Sequence, residues 1–323
     1  MQPKSCKICG HPVSEFLFKA ESKRYAPGEY FDLYRCHRCS GICIKPFLEF
    51  SDAQKYYPLS YAPHDPKQTK SNNIREAITR HLRKYVYGSR INQRATDINT
   101  IRRLFSGILQ RLTYRSFPWP IVDGKLLDIG CGNGTYLAAV EELGWHGFGC
   151  ESNSSAAQYA TKSLGLEVQA EDFEAVVYPE KHFDVITMWH SLEHFSDPKK
   201  IIGKVRKLLK DDGVLMIGIP NFYSFDRKLF KESWNGLEIP LHAWHFTPAS
   251  IRYLLKNNGF KKIIIHNTTR PTDMAKSLNY LLEDRYRLKP HKTLSMCLFL
   301  LSIPVSMCFS MCRRSSIIKV YAI

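Results

Sequence analysis

The stretch Lys125-Leu-Leu-Asp128-Ile-Gly130-Cys-Gly132-Asn-Gly134-Thr-Tyr136 decides the fold. An apolar strand ends around Asp128, three alternating glycines make a turn, and a helix begins at Thr135. Glycine has no Cβ, so such a turn lets the backbone come close to a ligand. Glu151 closes the next apolar run about twenty residues later, where an acid can hold a ribose diol. The dinucleotide fingerprint needs its third glycine where Thr135 stands, and the Lys-Ser/Thr of a phosphate-binding loop is missing. A nucleoside that is neither a dinucleotide nor a nucleoside triphosphate fits this turn best.

Strand and helix signals alternate from residue 124 onward. Strands are expected at 126–129, 147–150, 167–169, 183–188, 214–219, 261–266 and 317–322. Helices are expected at 135–143, 154–164, from Pro198 to 209 and from Pro248 to 259. Asp197 and Thr247 cap the last two, with proline in the first helical position. This alternation predicts an α/β, doubly wound, mostly parallel sheet. Before it, residues 51–120 are basic and partly helical, with apolar spacing at 73–86 and 95–112. Phe117-Pro-Trp-Pro120 marks the boundary. The expected organisation is a cysteine-bearing domain at 1–50, a linker at 51–120 and the α/β domain at 121–323, with an insertion at 270–314.

Asp128, the three glycines, Glu151 and Glu171-Asp172-Phe173 together resemble the class I S-adenosylmethionine-dependent methyltransferases, and the resemblance runs from about residue 124 to 260. Phe183 to His190 is similar to that family's fourth strand. Leu192-Glu193-His194, Asp197-Pro198 and Pro220-Asn221 resemble the subgroup around the ubiquinone-pathway O-methyltransferases. The resemblance implies a Rossmann-like methyltransferase sheet. It also implies that Asp128, Gly130, Gly132, Gly134, Glu151, Asp172, Phe173 and Trp189 line the S-adenosylmethionine site, with Glu151 on the ribose hydroxyls and Asp172 on the adenine amino group.

Methyl transfer from a sulfonium mainly needs positioning, and a hydroxyl acceptor gains from a general base, commonly histidine. His190, His194, His242 and His245 are the candidate bases, and His242 is favoured. His190-Ser-Leu-Glu193-His194 also matches a zinc-peptidase pattern, but that pattern belongs on a helix with a further ligand.

Cys6/Cys9 and Cys36/Cys39 form two Cys-x-x-Cys pairs, the donor set of a closed tetrahedral Zn²⁺ site in a zinc-ribbon-like domain. His37 and Cys43 stand by as substitute ligands. A zinc domain ahead of such a sheet resembles the deoxysugar C-methyltransferases. Their Tyr-x-Glu-His-x-x-Tyr-Phe-Ser loop reads Ile239-Pro-Leu-His242-Ala-Trp-His245-Phe-Thr247 here. The missing Tyr and Glu leave O-methylation ahead of C-methylation.

The net charge of +16 points to an anionic partner, and residues 67–115 carry twelve Lys or Arg against Glu76 and Asp97. The N-terminus has no secretory core, and paired cysteines fit a reducing compartment, so a cytoplasmic location is expected. Residues 294–312 carry no formal charge and are flanked by Lys289, Lys292, Arg313 and Arg314. A helical hairpin or in-plane element broken at Pro304, inserted between the last two strands and on an anionic membrane surface, is the expected form, with a buried or oligomer-forming helix pair as the alternative. The leading function is methyl transfer to a small molecule, a sugar or a lipid-linked saccharide, at a hydroxyl. RNA methylation is the alternative enzyme reading. It lacks a recognition motif, and Trp189-His190 stands where amino-group methylases carry Asn/Asp-Pro-Pro-Tyr, so nucleic acid is disfavoured but kept. A membrane-associated, non-catalytic scaffold is the third reading.

Overall fold

A computed structural model describes residues 5–13, 15–48, 50–57, 117–118, 121, 123–268 and 270–323. The helical spacing at 73–86 and 95–112 and the basic stretch 67–115 lie outside the described residues. The central sheet has seven strands. These are β4 (Lys125–Ile129), β5 (His146–Cys150), β6 (Glu167–Gln169), β7 (Phe183–Trp189), β8 (Leu209–Pro220), β10 (Ile263–Thr268) and β11 (Ile317–Ala322), in the spatial order β10-β11-β8-β7-β4-β5-β6. Strands β4 to β8 run parallel, and β11 runs antiparallel between β8 and β10.

Both faces of this sheet are covered, which is why its strands read as continuous apolar runs. Helices α4 (Pro198–Leu208) and α6 (Pro248–Lys256) bury Ile201, Ile202, Val205, Ile251, Leu254 and Leu255 on one face. On the other, α2 (Thr135–Glu141) buries Leu137 and Val140 with Trp189 and Met216. The expected caps are in place. Asp197 accepts from the Lys200 N–H at 3.0 Å, and Thr247 and Ser250 form a reciprocal capping box. Asn153 caps α3 (Ser154–Leu164), which Gly165 ends in a left-handed turn.

The cysteine-bearing segment forms an antiparallel sheet of β1 (Glu15–Glu21), β2 (Tyr30–Arg35) and β3 (Ile42–Lys45), followed by α1 (Phe50–Ala53). Its fourth strand is β9 (Trp244–His245), supplied from the far side of the sequence, with Ile42 opposite His245 and Cys43 opposite Trp244. The loop that carries the histidines is therefore woven into the cysteine module. Residues 22–29, between β1 and β2, hold the same loop. Ser22 Oγ donates to the Ile239 carbonyl at 2.7 Å, and Arg24 pairs with Glu238 at 3.0 Å.

The insertion is a helical hairpin of α7 (Pro271–Tyr286) and α8 (Lys292–Met311) between β10 and β11. One expectation is corrected, because α8 runs through Pro304 unbroken. A proline removes one backbone hydrogen bond and crowds the preceding turn. Here Ser302 Oγ donates to the Pro271 carbonyl and Ser306 Oγ to Met274 Sδ, so α8 is tied to α7 on both sides of the proline.

Trp244 is 1% exposed, edge-on to Phe47, and donates to the Ser196 carbonyl at 3.3 Å. Trp244→Ala should lower unfolding free energy by about 3–5 kcal/mol, the usual cost of emptying a buried aromatic site. Denaturant melting should show one transition shifted as a whole. Two transitions, only one of them shifted, would mean that the shared strand does not couple the two sheets.

Candidate active site

The glycine turn leaves β4 in the left-handed region, with φ of 72° at Gly130, 58° at Gly132 and 77° at Gly134. A Cβ on Gly130 would stand 2.9 Å from the Ser191 Cβ, and one on Gly134 would stand 2.6 Å from Leu166. Gly130 is thus where the turn after β4 and the turn after β7 touch. Asp128 is buried and accepts from Thr187 Oγ1 at 2.6 Å. Glu151, at the end of β5, accepts from the Gly132 N–H at 2.9 Å and the Asn153 N–H at 2.8 Å. Its carboxylate binds the two neighbouring turns together, with a further contact from Ser152 Oγ at 3.4 Å.

Asp172 sits in the turn after β6 and accepts from the Glu174 N–H at 2.9 Å. Lys204 secures that turn by donating to the carbonyls of Phe173, Glu174 and Val176. Phe173 packs in the core against Phe195 and beneath the Lys204 ammonium. Trp189 packs edge-on to Tyr136 and across Gly218. The rings of Phe173 and Trp189 are thus engaged in core packing.

After Trp189 the chain turns sharply. His190 has φ 56°, unusual for a residue with a Cβ, and Leu192–His194 form one turn of 3-10 helix. The turn buries Glu193, 1% exposed, with Oε1 3.1 Å from His190 Nδ1 and 3.9 Å from His242 Nε2. Glu193 Oε2 has no hydrogen-bond partner among the described residues. Burial pushes the Glu193 carboxyl up to about 7.

His242 donates from Nδ1 to the Gly236 carbonyl at 3.2 Å, which leaves Nε2 as an acceptor facing Glu193 and, at 3.7 Å, Glu238. Burial, reinforced by His194, His245 and His190, holds its pKa well below the usual histidine range, so the ring is neutral. His194 stacks edge-on to it at 4.8 Å, with Nδ1 3.0 Å from the Leu241 carbonyl and 3.1 Å from the Tyr57 hydroxyl. His245 donates from Nε2 to the Leu237 carbonyl at 2.9 Å, packs against Phe222 and is lowered to about 4 by burial. His190, His194 and His242 therefore converge on Glu193, while His245 belongs to the wall behind them.

Glu193, Glu238 and Tyr57 join the site without having been singled out from the sequence as site residues. Only Glu193 carried a signal, its place in the His-x-x-Glu-His pattern. That pattern is not on an α-helix, and the ligand atoms that come within 4.8 Å of one another belong to Glu193, His194 and His242. This departs from the peptidase arrangement.

The second cluster is the cysteine set. Cys6 and Cys39 Sγ are 3.6 Å apart, Cys9 and Cys36 Sγ are 3.4 Å apart, and all four lie within 4.8 Å. Four thiolates about 2.3 Å from a central ion would be about 3.8 Å apart, so the set fits a tetrahedral metal. Gly10 and Ser40, each four residues after the first cysteine of its pair, take left-handed φ of 77° and 60° and donate to the Cys6 and Cys36 carbonyls. Cys43 and His37 stand outside the set, His37 facing Glu15 at 3.4 Å.

A family model described as "Methyltransferase domain" matches residues 100–264. A ubiquinone biosynthesis O-methyltransferase of Histophilus somni is 32% identical over 147 residues, 42% of this chain and 54% of that protein. One from Pelagibacter ubique is 33% identical over 203 residues, covering 56% of this chain and 82% of that protein. The chain spans about half the length of the first of these relatives. Among solved structures, a phosphoethanolamine N-methyltransferase 2 of Haemonchus contortus in complex with S-adenosyl-L-methionine is 15% identical, with a TM-score of 0.48, over 87% of this chain and 61% of that one.

Glu193 offers a pH test. Its folded value of about 7 lies above the ordinary 4.5, so between these values the folded protein holds a proton that the unfolded chain has released. Stability should therefore fall as pH rises through that window. Glu193→Gln should raise stability at pH 8 by up to about 3 kcal/mol, and the gain should vanish in acid. Melting curves across pH check this, and a gain equal at all pH values would contradict it.

Proposed function

The chain belongs to the class I S-adenosylmethionine-dependent methyltransferases, and from that premise we propose that it methylates an oxygen of a small acceptor, a sugar or lipid-linked saccharide. Bound S-adenosylmethionine supplies an electrophilic methyl group. The residues around Gly130 fit it, since Gly130, Gly132 and Gly134 hold a left-handed turn with no Cβ over its backbone, and the Glu151 carboxylate stands at its rim. Asp128 and Asp172 would complete the cofactor side, with Phe173 and Trp189 packed behind.

The observation that carries the acceptor side is His242. Its tautomer is fixed by Gly236, and its bare Nε2 faces Glu193 and Glu238 beside the turn that abuts Gly130. His242 Nε2 would take the hydroxyl proton as the oxygen is methylated, and the two carboxyl groups would steady the imidazolium. His190 and His194 would orient Glu193 and His242, and His245 would brace the loop. The names of the curated relatives, O-methyltransferases, support oxygen as the site of transfer. Transfer to carbon is a second reading, favoured by one observation. Glu238 sets a carboxylate next to His242 although Leu241 replaces the family's Glu.

Residues 1–50 would be a Zn²⁺-braced module, with Cys6, Cys9, Cys36 and Cys39 as ligands, and residues 121–323 the catalytic unit. The place of work would be the cytoplasm, at the inner face of a membrane, where a lipid-linked acceptor resides.

Labelled methyl transfer to a metabolite extract tests the reading. His242→Gln should lower kcat by about 10²–10⁴-fold, the usual contribution of a general base, with cofactor affinity by calorimetry unchanged. An unchanged rate would remove His242 as the base, and absence of labelled product would remove the activity. Elemental analysis should find one zinc per chain, lost in Cys36→Ser along with thermal stability. Full stability without metal would remove the zinc assignment.

A further inference from the structure

Helix α8 is inside out. Its serines face the protein. Ser302 and Ser306 are buried against α7, Ser310 Oγ lies 3.5 Å from the Asn267 carbonyl, and Ser295 accepts from Asn279. Phe309 packs inward against Phe225, but several of the helix's large apolar side chains face outward at helical spacing. Met296 is 58% exposed, Leu300 57%, Leu301 66%, Met307 48% and Met311 84%. A helix facing water carries the reverse pattern. Small polar residues inward and apolar residues outward is the packing of helices in lipid.

Charge says which lipid. From Arg285 onward the sequence contains Arg285, Arg287, Lys289, Lys292, Arg313, Arg314 and Lys319 and no Asp or Glu. All but Lys319 flank the two ends of α8. Aromatic rings suited to a headgroup layer stand there too. Tyr286 is 65% exposed near the first end, and Tyr223, 55% exposed, lies beneath the Arg314 guanidinium at the second. Topology excludes a crossing. Strands β10 and β11 are adjacent in one sheet, so the hairpin starts and ends on the same side, and α7 carries Asp273, Lys276, Glu283 and Asp284.

We propose that α8 lies in the plane of an anionic leaflet, its Met-Leu-Val stripe in the acyl boundary and its terminal Arg and Lys residues among the headgroups. This rests on the membrane location proposed above and gives it a contact surface. It also bears on the acceptor. Helix α7, which backs α8, contacts the acceptor-side loop through Ser277, whose Oγ accepts from the Asn235 N–H at 2.9 Å, and Tyr280 lies beneath Arg24, which pairs with Glu238 of that loop. The acceptor side is one helix away from the anchoring face.

The test is flotation of the full chain with phosphatidylcholine vesicles, with and without phosphatidylglycerol. The protein should float only with phosphatidylglycerol. The double variant Arg313→Glu/Arg314→Glu should weaken binding about tenfold or more, since it reverses two of the charges that face the anionic headgroups. Leu300→Glu/Leu301→Glu should abolish it while melting and S-adenosylmethionine affinity hold. Equal binding to neutral vesicles, or undiminished binding by the leucine variant, would overturn the proposal. So would a dimer in sedimentation that the leucine variant splits, because a second copy would then cover the stripe. If the protein floats as expected but binds no S-adenosylmethionine, the catalytic reading fails and the anchor stands.

Discussion

The structure depends on the pairing of β3 with β9. Two residue pairs, Ile42 with His245 and Cys43 with Trp244, stitch a segment near the N-terminus to a loop two hundred positions later. Without that pairing the loop 234–247 would lose its strand partner and rest on contacts such as Ser22 to Ile239 and Ser277 to Asn235. With it, the backbone around His242 is fixed from one side by the cysteine module and from the other by the capping box that opens α6. The knuckles at Cys6 and Cys36 thereby bear on the backbone around His242 without touching it.

That rigidity matters because the site concentrates groups that would otherwise disperse. Glu193 is fully enclosed and His242 nearly so, and neither is favoured in its charged form. A buried carboxyl and a buried imidazole tolerate each other as a neutral pair more readily than as isolated ions. The contact between Gly130 and Ser191 ties this arrangement to the cofactor turn, so the two halves of the site share one backbone junction.

Much of this was legible in the sequence wherever a local rule decides the outcome. Glycine spacing, the proline after Asp197 and Thr247, and apolar runs covered on both faces marked the central sheet and its main helices. The N-terminal strands β1 to β3 went unread, since their alternation is mixed with charged residues, and β9 is too short to carry a pattern. Tyr57 enters the site through a tertiary contact to His194 that no spacing encodes. Pro304 misled because a helix breaker acts through the lost hydrogen bond, and here contacts from a neighbouring helix hold both flanks.

The position of β11 has a consequence for synthesis. It lies between β8 and β10, so β10 has no partner until the chain beyond the α7–α8 hairpin has been made. The apolar helix therefore leaves the ribosome while one edge of the sheet is still open. An unsatisfied strand edge and an exposed apolar helix invite association with whatever is nearby. For a nascent chain the order of events is thus set by topology. The hairpin meets its surroundings first, and the last strand then closes the sheet around the place where it has come to rest.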